Sequence, residues 1–326
     1  MSMRLAVAPA VIAVLLSATL AETQRRSRPE LPMSQQAFRV NEFETNRGLM
    51  YEAATAASLA YTTTPHASTG WVQYSIKRPA VLFGDDQTVV LLRKDSAGKL
   101  IELAVRGTST LDDALRDLNQ KAVLDGDLDV PLHSGFREIA LGVLAFLRDH
   151  VTKQEFDEYD FRLFGHSLGG AVASIVAMYL HQSGKRVAAV VTFGAPRFTT
   201  NAGARKYQVL NEQTLRVVRC DDVVPFLPPP NFFGWTTGGY EANGNVLLLL
   251  KPPYFDFSRG MDIERDFTHQ LRSELGNSVN RIKLAFGHRM QNYETLLKAI
   301  SVGLRAVSYQ LSEQTALCPA QLVDGR

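Results

Sequence analysis

Phe161-Arg162-Leu163-Phe164-Gly165-His166-Ser167-Leu168-Gly169-Gly170 is the stretch on which the reading of this chain turns. Its first four residues, Phe161 to Phe164, suit a short strand. Beyond it, Ala171 to His181 is rich in small residues and reads as a helix. Between the two lies Gly-x-Ser-x-Gly, with Gly165 and Gly169 around Ser167. A strand that passes at once into a helix must bend sharply, and glycines remove the side chains that would collide there. The serine is lifted out at the N-terminal end of a helix, where aligned peptide dipoles favour negative charge. Gly-x-Ser-x-Gly alone is a common pattern. The strand before it and the helix after it make it a signal for a nucleophilic serine.

Strand and helix patterns alternate on either side. Gln87 to Arg93 and Leu100 to Val105 read as strands, and Asp95-Ser96-Ala97-Gly98 makes them a hairpin. Val187 to Phe193 is nearly continuous in apolar residues, as in a parallel strand buried on both faces. Leu215 to Val218 and Leu247 to Leu250 are further short strands. Helices are expected over Asn46 to Tyr61, Gly135 to Val151 (with Phe136, Ile139, Ala140, Val143 and Leu144 at three-and-four spacing) and Met290 to Val307. This alternation predicts an α/β fold with a mostly parallel central sheet flanked by helices. Pro225 to Asp266 is proline- and aromatic-rich and reads as an elaboration near the site, not a second domain.

Length and composition are consistent with this. The chain has 326 residues, 45% of them hydrophobic and 21% charged, enough for a full core. A formal net charge of +2 points to no nucleic-acid partner. At the N-terminus Arg4 precedes an apolar run, Leu5 to Leu16, and then Ser17-Ala18-Thr19-Leu20-Ala21. A basic start, a short apolar stretch and a small-residue exit describe a secretory signal peptide over residues 1–21, hence a secreted protein. The run is too short for a stable transmembrane anchor, which needs about 20 apolar residues. Glu22 to Gln36 reads as a linker or loosely held arm. The two cysteines, Cys220 and Cys318, are too few for a disulfide scaffold. Whether they pair is open, with a buried free Cys220 an equal alternative.

A serine needs a neighbouring base to become a nucleophile, and histidine titrates in the right range. After Ser167 the histidines are His181, His269 and His288. His181 falls at the far end of the helix that Ser167 opens. His269 lies in a charged stretch, Arg265 to Glu274, suited to the surface. His288 follows Gly287 and precedes the last helix, so it sits on a loop and is the expected base. Asp221 and Asp222 follow the strand Leu215 to Val218, and either could hold the imidazole in its working tautomer. An oxyanion needs preset N–H donors. The Leu168 N–H, directly after the nucleophile, is one. The turn Arg106-Gly107-Thr108 after the strand Leu100 to Val105 offers the second, from the Thr108 N–H and hydroxyl.

Together these residues resemble the class 3 lipases. Val105 to Thr108 is similar to that family's oxyanion segment, with Asp113 and Asp117-Leu118 in its lid pattern. His133-Ser134-Gly135-Phe136, Gly165 to Gly170 and Phe193-Gly194-Ala195-Pro196-Arg197 follow in the family's order. Asp222-Val223-Val224-Pro225 with Leu227-Pro228-Pro229 resembles the acid motif and selects Asp222 over Asp221. His288-Arg289-Met290 with Tyr293 resembles the histidine motif. The resemblance spans residues 46–307, after an arm at 22–45 and before a tail at 308–326. It implies one α/β-hydrolase domain cleaving lipid esters with no cofactor and no metal. The catalytic set is Ser167, Asp222 and His288, with Thr108 and Leu168 as the oxyanion hole. Triacylglycerol lipase is the leading expectation, with phospholipase A1 or general carboxylesterase as alternatives and a non-catalytic lipid-binding relative as a remote one. The expected partner is a lipid ester, including one at a lipid–water interface. A lid is implied over Ser109 to Leu118. Ala114 stands where the family usually has tryptophan, so that lid is less apolar.

Overall fold

A computed structural model describes residues 33–62, 69–77, 87–108, 121–228, 239–259 and 287–307. In chain order its main strands are β1 (Val72–Lys77), β2 (Gln87–Asp95), β3 (Leu100–Val105), β4 (Ala122–Asp125), β5 (Val130–His133), β6 (Asp160–His166), β7 (Val187–Phe193), β8 (Thr199–Thr200), β9 (Thr214–Arg219), β10 (Tyr240–Glu241), β11 (Asn245–Leu249), β12 (Tyr254–Ser258) and β13 (Arg305–Ala306). The helices are α1 (Met33–Leu59), α2 (Ser134–His150), α3 (Lys153–Glu158), α4 (Leu168–Gln182), α5 (Asn201–Lys206) and α6 (Met290–Ile300).

Nine strands form the main sheet, in the order β1-β2-β3-β6-β7-β9-β11-β12-β13. From β3 through β11 every neighbouring pair is parallel. The β2–β3 hairpin is antiparallel, with Asp95 opposite Leu100. The central strands read as apolar runs because both sheet faces are covered. On β7, Val190 joins the cluster under α2 and α4, while Val191 and Phe193 join the cluster under α1 and α6. On β6 the same division sends Phe161 and Leu163 one way and Phe164 the other. A separate four-stranded sheet, β10-β8-β5-β4, was not signalled by periodicity. Its strands are two to four residues long, too short to show an alternation.

Three expectations need correction. The N-terminal arm, expected to run through residue 45, is helical from Met33 onward. Tertiary contacts hold it: Phe43 lies on Phe255 with ring centroids 5.0 Å apart, and Arg39 pairs with Asp256 at 2.7 Å. The last helix stops at Ile300, and the chain turns through Gly303 so that β13 can pair with β12. Cys220 is disulfide-bonded and not free. Cys318, the signal peptide, the lid segment Ser109 to Leu118, His269 and the tail 308–326 lie outside the described residues. No helix among the described residues is long and apolar enough to cross a membrane.

Candidate active site

Ser167 sits where β6 ends and α4 begins, with φ 57° and ψ −135°. That is a rare conformation for a side-chain-bearing residue, with a cost of about 1–3 kcal/mol that surrounding contacts must offset. The contacts explain the glycines. A Cβ on Gly165 would stand 2.3 Å from the Gly169 carbonyl oxygen, and one on Gly169 would stand 2.1 Å from the Val105 oxygen. The turn is therefore pressed against the end of β3. A Cβ on Gly107 would lie 2.8 Å from that of Ser167. The Arg106-Gly107-Thr108 turn thus runs directly alongside the serine.

The acid–base side is built by two segments. β9 delivers Asp221 and Asp222, and a turn before α6 delivers His288. His288 Nε2 is 2.8 Å from Ser167 Oγ, and its Nδ1 is 2.8 Å from Asp222 Oδ2. The Asp222 carboxylate also accepts the Tyr293 hydroxyl at 2.6 Å and the Val224 N–H at 2.9 Å. Burial alone would raise its pKa. The His288 charge and these hydrogen bonds outweigh that, and the carboxyl lies below its usual range. Tyr293 is pushed well above the usual phenol range by burial and by the Asp222 charge, so it stays a donor. Asp221 is differently placed: its carboxylate pairs with Arg219 through Nε at 2.9 Å and Nη2 at 2.7 Å.

Gly194 explains part of the Phe193-to-Arg197 string. It has φ +59°, and a Cβ there would lie 2.7 Å from Asp222 Oδ2 and 3.2 Å from His288 Cε1. Arg197 is buried and donates to the carbonyls of Phe226 at 3.1 Å and Pro228 at 3.3 Å. It thereby fixes the loop that follows Asp222. His133 caps α2, accepting the Phe136 N–H at 3.4 Å. His181 lies in the last turn of α4, edge-on to Tyr207 at 6.3 Å.

On the oxyanion side, Leu168 is the first residue of α4, and the first N–H groups of a helix have no intrahelical acceptor. Thr108 is buried, and among the described residues its hydroxyl has no hydrogen-bond partner. Ser167, Asp222 and His288 are only 2%, 0% and 6% exposed. Among the described residues no group of His, Cys, Asp and Glu could hold a metal ion. Sequence reasoning overlooked Tyr61 and His166, which meet beneath the site: Tyr61 Oη lies 2.7 Å from His166 Nδ1. In the sequence His166 is only the unspecified residue of Gly-x-Ser-x-Gly, and Tyr61 only the end of a helix.

A mostly parallel sheet, with a serine on a strained strand-to-helix turn, defines an α/β-hydrolase fold. Solved structures agree on the fold. The triacylglyceride lipase of Rhizomucor miehei superimposes with a TM-score of 0.51 at 23% identity, over 63% of this chain and 80% of that one. The nonglycosylated LIP2 lipase of Yarrowia lipolytica gives 0.51 at 21% identity, over 65% and 81%. Residues 102–232 match the class 3 lipase family. Lipase A of Sodiomyces alcalophilus is 34% identical over 192 residues, 48% of this chain and 44% of that protein. The secreted mono- and diacylglycerol lipase 1 of Fusarium solani is 32% identical over 157 residues, 47% of each chain. Over this central segment, the chain is similar to the class 3 lipases. It spans under half the length of these two relatives.

Proposed function

We propose that this protein is a secreted serine hydrolase that cleaves carboxylic esters of lipids, acylglycerols foremost. The observation that carries the reading is the unbroken hydrogen-bonded line from Ser167 Oγ through His288 to Asp222. Ser167 attacks the ester carbonyl while His288 Nε2 takes its proton. The carbonyl oxygen gains negative charge and is held by the Leu168 N–H and by Thr108. His288 then protonates the departing alcohol. Water, activated by the same imidazole, releases the acid and restores Ser167. Asp222 remains ionised and stabilises the imidazolium formed in both steps. None of these steps calls for a cofactor.

The Fusarium solani relative supports acylglycerols as substrates, and secretion, by name. The test is hydrolysis of short and long p-nitrophenyl esters, emulsified triacylglycerol, diacylglycerol and phosphatidylcholine. Acylglycerol turnover that vanishes in Ser167→Ala is the expected result. Turnover confined to soluble short esters would make the enzyme a carboxylesterase, and turnover confined to phosphatidylcholine a phospholipase. Folded protein with no turnover of any of these contradicts the reading.

A further inference from the structure

We propose that Tyr61 and His166 form a positioning clamp that locks the oxyanion turn to the backbone of the base, His288. The inference rests on the hydrolase reading above, but on different atoms. His166 Nε2 lies 2.6 Å from the His288 carbonyl oxygen, and its Nδ1 lies 2.7 Å from Tyr61 Oη. The Gly107 N–H donates to the same Tyr61 oxygen at 3.2 Å.

The direction of every bond follows from what each atom can do. A carbonyl oxygen only accepts, so His166 Nε2 carries its proton. In a neutral ring Nδ1 then accepts, and the donor is the Tyr61 hydroxyl. The Tyr61 oxygen keeps a lone pair for the Gly107 N–H. The chain thus runs Gly107 N–H to Tyr61 Oη, Tyr61 O–H to His166 Nδ1, and His166 Nε2–H to His288 O. It joins four segments far apart in sequence, with Ser167 adjoining one of them and Thr108 another.

The assignment requires His166 to be neutral, and its surroundings agree. It is buried, and the ring groups facing it are Tyr61 at 5.6 Å, His288 at 4.8 Å and Tyr293 at 6.0 Å between centroids. Burial first, and then the neighbouring His288, push its pKa down to about 3, against a smaller opposing pull from Asp222. A second imidazolium beside His288 would oppose the charge that His288 gains during turnover. A neutral ring carries the hydrogen bond without that repulsion. Both His166 nitrogens are occupied, so it positions the machinery and takes no part in proton transfer.

The two arms of the clamp can be cut separately. Asparagine at 166 reaches the position of Nδ1 and keeps the Tyr61 arm. Glutamine reaches the position of Nε2 and keeps the His288 arm. Tyr61→Phe removes one hydroxyl only. Steady-state kinetics on p-nitrophenyl butyrate, with thermal unfolding alongside, should show kcat falling about 10- to 100-fold in Tyr61→Phe and His166→Asn. KM should stay within about twofold, since substrate binding is untouched. His166→Gln, which cuts the same arm as Tyr61→Phe, should fall to about the same kcat as Tyr61→Phe. The clamp is overturned if all three variants keep wild-type kcat, or if kcat falls only in proportion to the folded fraction. A fluorophosphonate probe on the wild type separates the two readings. No labelling of Ser167 and no turnover removes the hydrolase reading and the clamp together. Labelling and turnover with indifferent variants removes the clamp alone.

Discussion

The two sides of Ser167 are built on opposite principles. On the acid–base side the Asp222 carboxylate accepts from His288, Tyr293 and Val224, and Gly194 lets the backbone approach without a clash. On the side of the proposed oxyanion hole the Thr108 hydroxyl is buried and has no hydrogen-bond partner among the described residues. A satisfied network holds one geometry, whereas an unsatisfied buried donor is costly until something fills it. On the function proposed above, the first side is finished before substrate arrives and the second is completed by it.

Mutations on the finished side should therefore have the larger effects. Asp222→Asn should lower kcat by about 10⁴-fold with the fold intact, because the imidazole loses the partner that fixes its tautomer. Circular dichroism and turnover measured on the same sample check this. Gly194→Ala should come next. Its methyl group would displace Asp222 or His288, and a shift on the order of 1 Å costs about 10²-fold. On the open side Thr108→Val should reduce kcat by about 10²-fold with little change in KM. Equal losses from Asp222→Asn and Thr108→Val would erase the distinction.

Asp221→Asn is the control one residue away. It should leave kcat nearly unchanged and lower the melting temperature, because Arg219, 5% exposed, loses its bidentate partner. The smallest effect concerns pH. Unfolded, His166 takes a proton near pH 6.5; folded, it resists until about 3. Between those values the unfolded state binds the extra proton, so stability is full above the window and falls as pH drops through it. His166→Gln should make that acid-side decline shallower in urea titrations at a series of pH values. An unchanged slope contradicts the assignment of a neutral His166.

The sheet was largely legible because its central strands are buried on both faces. Leu100 to Val105 and Val187 to Phe193 carry their signal in apolar runs interrupted only by Glu102 and Thr192, and both strands fall where expected. The start of α1 was not legible. Arg39 and Phe43 look like arm residues until Asp256 and Phe255, over two hundred positions away, supply their partners. At the site, the choice of Asp222 over Asp221 needed the family resemblance. In the structure the difference is physical, since Arg219 occupies one carboxylate and the Val224 N–H, Tyr293 and His288 converge on the other. Tyr61 was invisible because nothing near it in sequence shows that its hydroxyl meets Gly107 and His166.

The central claim is that Ser167 is the nucleophile and that His288 and Asp222 activate it. Peptide mass mapping after brief exposure to a fluorophosphonate tests it most directly. The account predicts one adduct, on the peptide bearing Ser167, absent in Ser167→Ala and formed far more slowly in Asp222→Asn. An adduct on another serine, or equal labelling of Ser167 in Asp222→Asn, would contradict it.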